Sequence, residues 1–273
     1  MLQFYYANSF IQHRPSLSIF HYRRAMGPRT LRWSIAGTAG ALVAAALAIF
    51  LYLHGVYRFS YPDPVTYPVR GIDLSHHQGA VDWRRVAAQD IRFAYLKASE
   101  GGDWSDASFR SNLAAARAAG LAVGAYHYFT LCASGAAQAQ NFLRAVPAAG
   151  LALPPAIDLE YVGNCAARPG NGRLAHELKV FIAALRAQGL RTPVIYSTQS
   201  FFADYLDADP AFAAYPLWVR NLYGETAWSR GRSVLFRQFA SHARLAGIAG
   251  PVDLNVFAGS KAQFAALLAR APD

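Results

Sequence analysis

Hydrophobic patterning divides the chain into two regimes that meet near residue 69. Ser34 to Leu53 is an uncharged apolar run, long enough as a helix to cross a bilayer. From residue 69 onward, short alternating or continuous apolar runs of strand length take turns with stretches of helical period. Strands are predicted at 69–74, 91–96, 121–129, 156–159, 193–196, 217–221, 234–240 and 252–257. Helices are predicted at 81–88, 107–119, 136–146, 174–188 and 261–270, two of them ended by Gly120 and Gly189. Strands and helices in this alternation predict an α/β fold, a modified parallel (β/α) barrel of about 200 residues with thin helices near its end. An open doubly wound sheet is the competing architecture, but the chain has neither a G-x-G-x-x-G nor a P-loop phosphate motif.

The predicted organisation is a basic cytoplasmic N-terminal segment at 1–33, a transmembrane anchor at 34–53, a Pro-rich spacer at 54–68 and a barrel domain at 69–273. Arg14, Arg23, Arg24, Arg29 and Arg32 precede the apolar run, Asp63 is the first acid, and Trp33 and Tyr52 flank the run as interfacial residues do. This charge asymmetry orients the barrel outward. A cleaved signal peptide is the alternative: Ala46-Leu47-Ala48 resembles a cleavage site, although the apolar run continues through Leu53. Met26 is a second candidate start. Pro62, Pro64 and Pro68 favour an extended spacer able to hold the barrel up to about 50 Å from a membrane.

Charge adds little specificity. The formal net charge of +10 is concentrated at the amino end, and the barrel region is only mildly basic. Without a Lys/Arg run or interleaved basic and aromatic residues, nucleic-acid binding is not expected. A mildly positive field suits an anionic polymer.

Candidate chemistry centres on Asp158-x-Glu160. Alternate residues of an extended segment project from one face, so both acids are predicted to face one cleft, and mutual repulsion leaves one of them protonated near neutrality. Asp73, Lys97 with Glu100, Tyr126 with Tyr128, Tyr196, Trp218, Gln238 and Asp253 are likewise assigned to the carboxyl ends of predicted strands, the catalytic face of a barrel. Acids interspersed with aromatics suit sugars, whose C–H faces pack on rings while their hydroxyls bind carboxylates and amides.

Several segments together resemble glycoside hydrolase family 25, the lysozymes of the N-acetylmuramidase type. They are Gly71-Ile72-Asp73-Leu74-Ser75-His76-His77-Gln78-Gly79, Val81-Asp82-Trp83, Phe93 through Gly101, Gly124-Ala125-Tyr126-His127-Tyr128-Phe129, the Asp158-x-Glu160 pair, Val194-Ile195-Tyr196-Ser197, Pro216-Leu217-Trp218 and Val252-Asp253-Leu254-Asn255. The resemblance implies cleavage of the β-1,4 bond between N-acetylmuramic acid and N-acetylglucosamine in the glycan strands of peptidoglycan. It puts the general acid at Glu160 and its partner carboxylate at Asp158, with Asp73 and Asp253 as further cleft acids. Asp158 then either attacks the anomeric carbon or orients the substrate's 2-acetamido group, and the resemblance favours the second. Binding contacts are expected from Asp73, Asp253, Lys97, Glu100, Tyr126, Tyr128, Tyr196, Trp218 and Gln238.

No cofactor is called for. His76 and His77 point to different faces in an extended chain, so no metal is expected, and His127 is read as a packed barrel residue. The 234–240 strand and Ser197-Thr198-Gln199-Ser200 depart from the family pattern. Cys132 and Cys165 follow the third and fourth strands, whose loops are neighbours in a barrel; a disulfide between them is possible in an oxidising compartment, with two free thiols as the alternative. The whole reads as a single-pass protein of a bacterial cytoplasmic membrane with its enzyme on the periplasmic or extracellular side. The competing functions are a hexosaminidase acting on chitin-like glycans and a non-catalytic wall-binding module.

Overall fold

The computed structural model describes residues 28–147, 151–224, 227–229 and 231–270. Most of the predicted basic segment, with both candidate starts Met1 and Met26, lies outside the described residues. The chain divides into two units, Met1–Ala46 and Leu47–Asp273. Helix α1 (Pro28–Leu53) runs across that boundary. Within it, Arg32–Leu53 has a mean hydropathy of 2.1 and no buried side chain in its apolar window, which makes it long and apolar enough to span a membrane.

The second unit is a closed barrel. Its elements in chain order are β1 (Arg70–Leu74), α2 (Trp83–Ala87), β2 (Ile91–Glu100), β3 (Trp104–Ser105), α3 (Phe109–Ala118), β4 (Ala122–Tyr128), α4 (Gly135–Ala145), β5 (Ala156–Leu159), α5 (Asn171–Ala187), β6 (Val194–Ser197), α6 (Gln199–Phe201), β7 (Leu217–Arg220), β8 (Val234–Ala243), β9 (Val252–Phe257) and α7 (Lys261–Ala269). Eight strands pair in the order β1-β9-β8-β7-β6-β5-β4-β2, and β2 closes onto β1, with β3 a short addition at the end of β2. Polar side chains start the outer helices: Asp82 accepts from Arg85 N–H, Ser134 from Ala137 N–H and Ser260 from Gln263 N–H.

One strand departs from the all-parallel expectation. β9 runs antiparallel to both β8 and β1, while the other neighbours around the barrel are parallel. The link from Ala243 to Val252 is too short for a crossover helix, so the chain returns as a hairpin. Asp253, assigned to a carboxyl strand end, is instead the second residue of β9. It reaches the catalytic face because that strand is reversed, and it pairs directly with Asp73 of β1.

Alternation sorts the side chains into two layers. Outward residues such as Ile72, Leu96, Val123, Ile157, Ile195 and Val219 pack under the helices. Inward residues build a ladder of rings: Phe264 of α7 meets Phe257 at 5.2 Å, Phe257 meets Phe236 at 5.7 Å, and Tyr95 stacks on Trp218 at 4.7 Å. Each buried ring contributes about 2–3 kcal/mol, and together they fill the barrel from its amino-terminal end to mid-height. Gly71 and Gly124 make room, since a Cβ on either would run into the ring of Phe93 or Tyr95.

The stretch after α1 is not the extended spacer predicted for 54–68. Ser60 is buried and accepts a hydrogen bond from the Arg237 guanidinium of β8. Tyr52 lies 5.3 Å from His242 and Phe59 lies 5.1 Å from Tyr223. Packing against β8 and the segment after β7 outweighs the proline-driven preference for an open chain.

Replacing Gly124 with Ala is expected to destabilise the barrel by about 1–3 kcal/mol through overpacking on Tyr95, read as a lowered melting temperature. A neutral result would show that the ring shifts freely.

Candidate active site

Above the ring ladder the same inward positions turn polar. On β1, β4, β5, β7, β8 and β9 the inward residues near the mouth are Asp73, Tyr126, Asp158, Trp218 with Arg220, Gln238, and Asp253 with Asn255. Two short bridges bind this layer to the floor. Trp218 Nε1 donates to Asn255 Oδ1 at 2.8 Å, and Asn255 Nδ2 donates to Asp73 Oδ2 at 2.6 Å. Tyr196 Oη donates to Gln238 Oε1 at 3.1 Å, and Gln238 Nε2 donates to the same Asp73 oxygen at 3.0 Å. Trp218 and Tyr196 are almost wholly buried, so they are floor and donors to this network rather than open faces for a sugar ring.

Asp158 lies in β5 beside Tyr128 on one side and Tyr196 on the other. Glu160 is the first-but-one residue beyond it on the same face, at the end of the strand. Burial, and then repulsion from Glu160, push the Asp158 carboxyl well above its ordinary range. Its Oδ1 is buried without a hydrogen-bond partner among the described residues. Burial raises Glu160 to about 7, against a smaller opposing pull from Arg220. Asp73 and Asp253 are both raised as well, chiefly by burial, and they stand opposite each other across β1 and β9. Burial and like charge both favour the protonated form, so ionising all four acids of the mouth together is disfavoured.

A second cluster stands on the β2 side. A bulge between Lys97 and Ser99 breaks the alternation, which turns Lys97 and Glu100 to one side, with Nζ 2.6 Å from Oε2. The ammonium lies 4.7 Å from the Tyr128 ring and 5.2 Å from that of Trp104. Ser99 is sent to the outer layer, where its hydroxyl meets His127 Nδ1 at 2.8 Å. His127 also bonds Gln138, is fully buried, and is depressed to about 3 by burial. It is a packing residue held neutral.

The loop beyond Glu160 is tied down. Tyr128 Oη donates to Val162 O, and the Asn164 amide donates to Glu160 O and Phe129 O while accepting from Leu131 N–H. Cys132 and Cys165 form a disulfide across the same two loops, with Cα atoms 6.3 Å apart.

All eleven residues singled out in the sequence as catalytic or binding therefore fall on the mouth or directly beneath it. Four others were not singled out. Arg220 shares the face of Trp218 two positions on, and Asn255 that of Asp253, a signal the period of two carried. Trp104 and Asp106, which accepts from His76 N–H at 2.7 Å, sit in a short hairpin with no periodic signature.

A barrel whose mouth gathers buried, partly protonated carboxyls over a floor of rings defines a glycoside hydrolase. The family described as Glycosyl hydrolases family 25 matches residues 72–248, and the chain belongs to it. Similar proteins include lysozyme M1 of Streptomyces globisporus, 34% identical over 73% of this chain and 71% of its own. An uncharacterised Escherichia coli K12 protein, YegX, is 33% identical over 82% and 84%. The structure of a family 25 glycosyl hydrolase from Bacillus anthracis superposes with a TM-score of 0.69 at 32% identity, covering 76% of this chain and 96% of that one.

Because Glu160 titrates higher in the folded chain than its ordinary 4.5, its contribution to stability is present below about pH 4.5 and is lost as pH rises through about 7. Glu160→Gln is therefore expected to stabilise the fold by roughly 1–3 kcal/mol at pH 8 and far less at pH 4.5. Denaturant unfolding at both pH values tests it; equal effects at the two would refute the buried-acid account.

Proposed function

We propose that the protein is a peptidoglycan muramidase that cleaves the β-1,4 bond between N-acetylmuramic acid and N-acetylglucosamine, with Glu160 as its acid and base. The observation that carries this reading is the convergence of Asp73, Asp158, Glu160 and Asp253 at the mouth of a family 25 barrel, with Glu160 raised to about 7. Lysozyme M1 as a relative supports the substrate.

In this reading Glu160 enters protonated and gives its proton to the glycosidic oxygen as the C1–O bond breaks. The substrate's own acetamido oxygen attacks C1 and closes a five-membered ring. Asp158 accepts a hydrogen bond from the acetamido N–H, the partner its buried Oδ1 lacks, and favours the charge that develops. Glu160, now a carboxylate, takes a proton from water as that water attacks C1 and displaces the acetamido oxygen, reopening the ring, so the anomeric configuration is retained. Asp73 and Asp253, with Gln238 and Asn255 behind them, hold sugar hydroxyls. Lys97, Glu100, Tyr126 and Tyr128 line the opposite wall.

The N-terminal helix is proposed as a membrane anchor that places the barrel in the periplasm or outside the cell. Its length, its apolar surface and the arginines before it support that placement. The disulfide suits an oxidising compartment.

Glu160→Gln is expected to lower kcat on purified sacculi by about 10³-fold with glycan binding kept, and wild-type kcat/KM is expected to fall above about pH 7. Mass analysis of digests should find muramic reducing ends and a retained β configuration. N-acetylglucosamine reducing ends, or near wild-type turnover in Glu160→Gln, would overturn the assignment. A covalent glycosyl adduct on Asp158 would replace acetamido participation with direct attack. Resistance of the full chain to carbonate extraction from membranes checks the anchor, and a processed amino terminus near Ala48 would refute it.

A further inference from the structure

Beside the acids, the mouths of β6 and β7 open into a groove of about 520 Å³ walled by Thr198, Gln199, Ser200, Arg220, Tyr223 and Trp228 among others. Arg220 is the charged side chain among its described lining residues. Strand register fixes its height. Leu159, Ser197 and Val219 lie side by side across β5, β6 and β7, so the next residues, Glu160, Thr198 and Arg220, form the next layer up. On its other side Arg220 is level with Gln238, which binds Asp73. Arg220 is thus the hinge between the acidic cleft and the groove. It is partly exposed, and its guanidinium makes no hydrogen bond or ion pair among the described residues, although four acids stand nearby.

A planar guanidinium with its donors unused matches a carboxylate in two-point geometry. In peptidoglycan the sugar backbone is neutral, because each lactyl carboxyl is tied as an amide to a stem peptide; the free carboxylates lie on the stems. Thr198, Gln199 and Ser200 offer the hydroxyl and amide groups that a peptide backbone needs, and the Tyr223 ring is exposed at the rim. We infer that this groove is a stem-peptide subsite in which Arg220 binds a stem carboxylate, so that the enzyme prefers glycan carrying peptides over bare glycan. The inference rests on the muramidase reading and names which part of that polymer the second groove takes.

The test uses the full chain in detergent on soluble, uncrosslinked glycan strands in three forms: with stems, with the stem carboxyls converted to amides, and stripped of stems by an amidase, which frees the lactyl carboxylate. Wild-type KM should be about tenfold lower on stem-bearing strands than on either other form. Arg220→Gln should raise KM about tenfold on stem-bearing strands and leave KM on the amidated and stripped strands unchanged, so that the preference disappears whatever the loss of its charge beside Glu160 does to kcat on all three forms. Arg220→Lys, which keeps the charge without the fork, should recover only part of the affinity. The amidation comparison on wild type needs no variant and so stands even if a substitution disturbs folding. The stem-peptide assignment is overturned if stripped strands bind as tightly as stem-bearing ones through Arg220, since the lactyl group would then be the partner. It is overturned equally if Arg220→Gln lowers kcat and moves the alkaline limb of the pH profile with KM unchanged, which would make Arg220 a tuner of Glu160. Failure of wild type to release muramic reducing ends from any form would refute the muramidase reading itself.

Discussion

The structure depends on a boundary inside the barrel where rings give way to carboxyls. Buried acids are costly to ionise, and this mouth holds Asp73 and Asp158 almost out of contact with water, with Asp253 half-buried beside them. Two side-chain amides make that tolerable. Asn255 and Gln238 each receive a proton donor from an aromatic of the floor and pass a donor on to one oxygen of Asp73. The amides orient the acid, and the ring stack orients the amides. Chemistry at the mouth is therefore anchored in apolar packing several layers down, which makes the geometry of the acids a property of the whole barrel.

The same arrangement leaves part of its electrostatics unresolved within the chain. Burial raises all four acids, whereas Arg220 and Lys97 pull Glu160 the other way. Glu160, just past the strand end and less enclosed than Asp158, is raised to about 7. Asp158 keeps a buried oxygen without a hydrogen-bond partner among the described residues, a costly condition for a polar atom.

Much of this was legible in the sequence for a physical reason. Inward and outward residues of a strand differ strongly in polarity, so the pattern of short apolar runs disclosed all eight barrel strands, and the period of two put Asp158 and Glu160 on one face. Direction is not written in that period. β9 was assigned the common sense of its neighbours, and only the short link after Ala243 distinguishes a hairpin from a crossover. Asp253 was assigned to the carboxyl end of its strand, whereas it is the second residue of β9, and the reversal of that strand is what brings it beside Asp73. The aromatics carried a similar ambiguity: composition marks Trp218 and Tyr196 as ring-bearing, but whether a ring faces sugar or core depends on how many layers lie above it. The stretch at 54–61 misled because proline content speaks for backbone preference and is silent on a neighbouring surface that rewards folding back.

The Cys132–Cys165 bridge has a consequence for when the molecule becomes complete. It joins the loop leaving β4 to the loop leaving Glu160, and such bonds persist only where the surroundings are oxidising. In a reducing medium the same polypeptide carries two thiols, and the loop after Glu160 loses that covalent tie. Completion of the rim beside Glu160 is in this way coupled to the redox state of the surroundings, and the bridged form is the one an oxidising medium keeps.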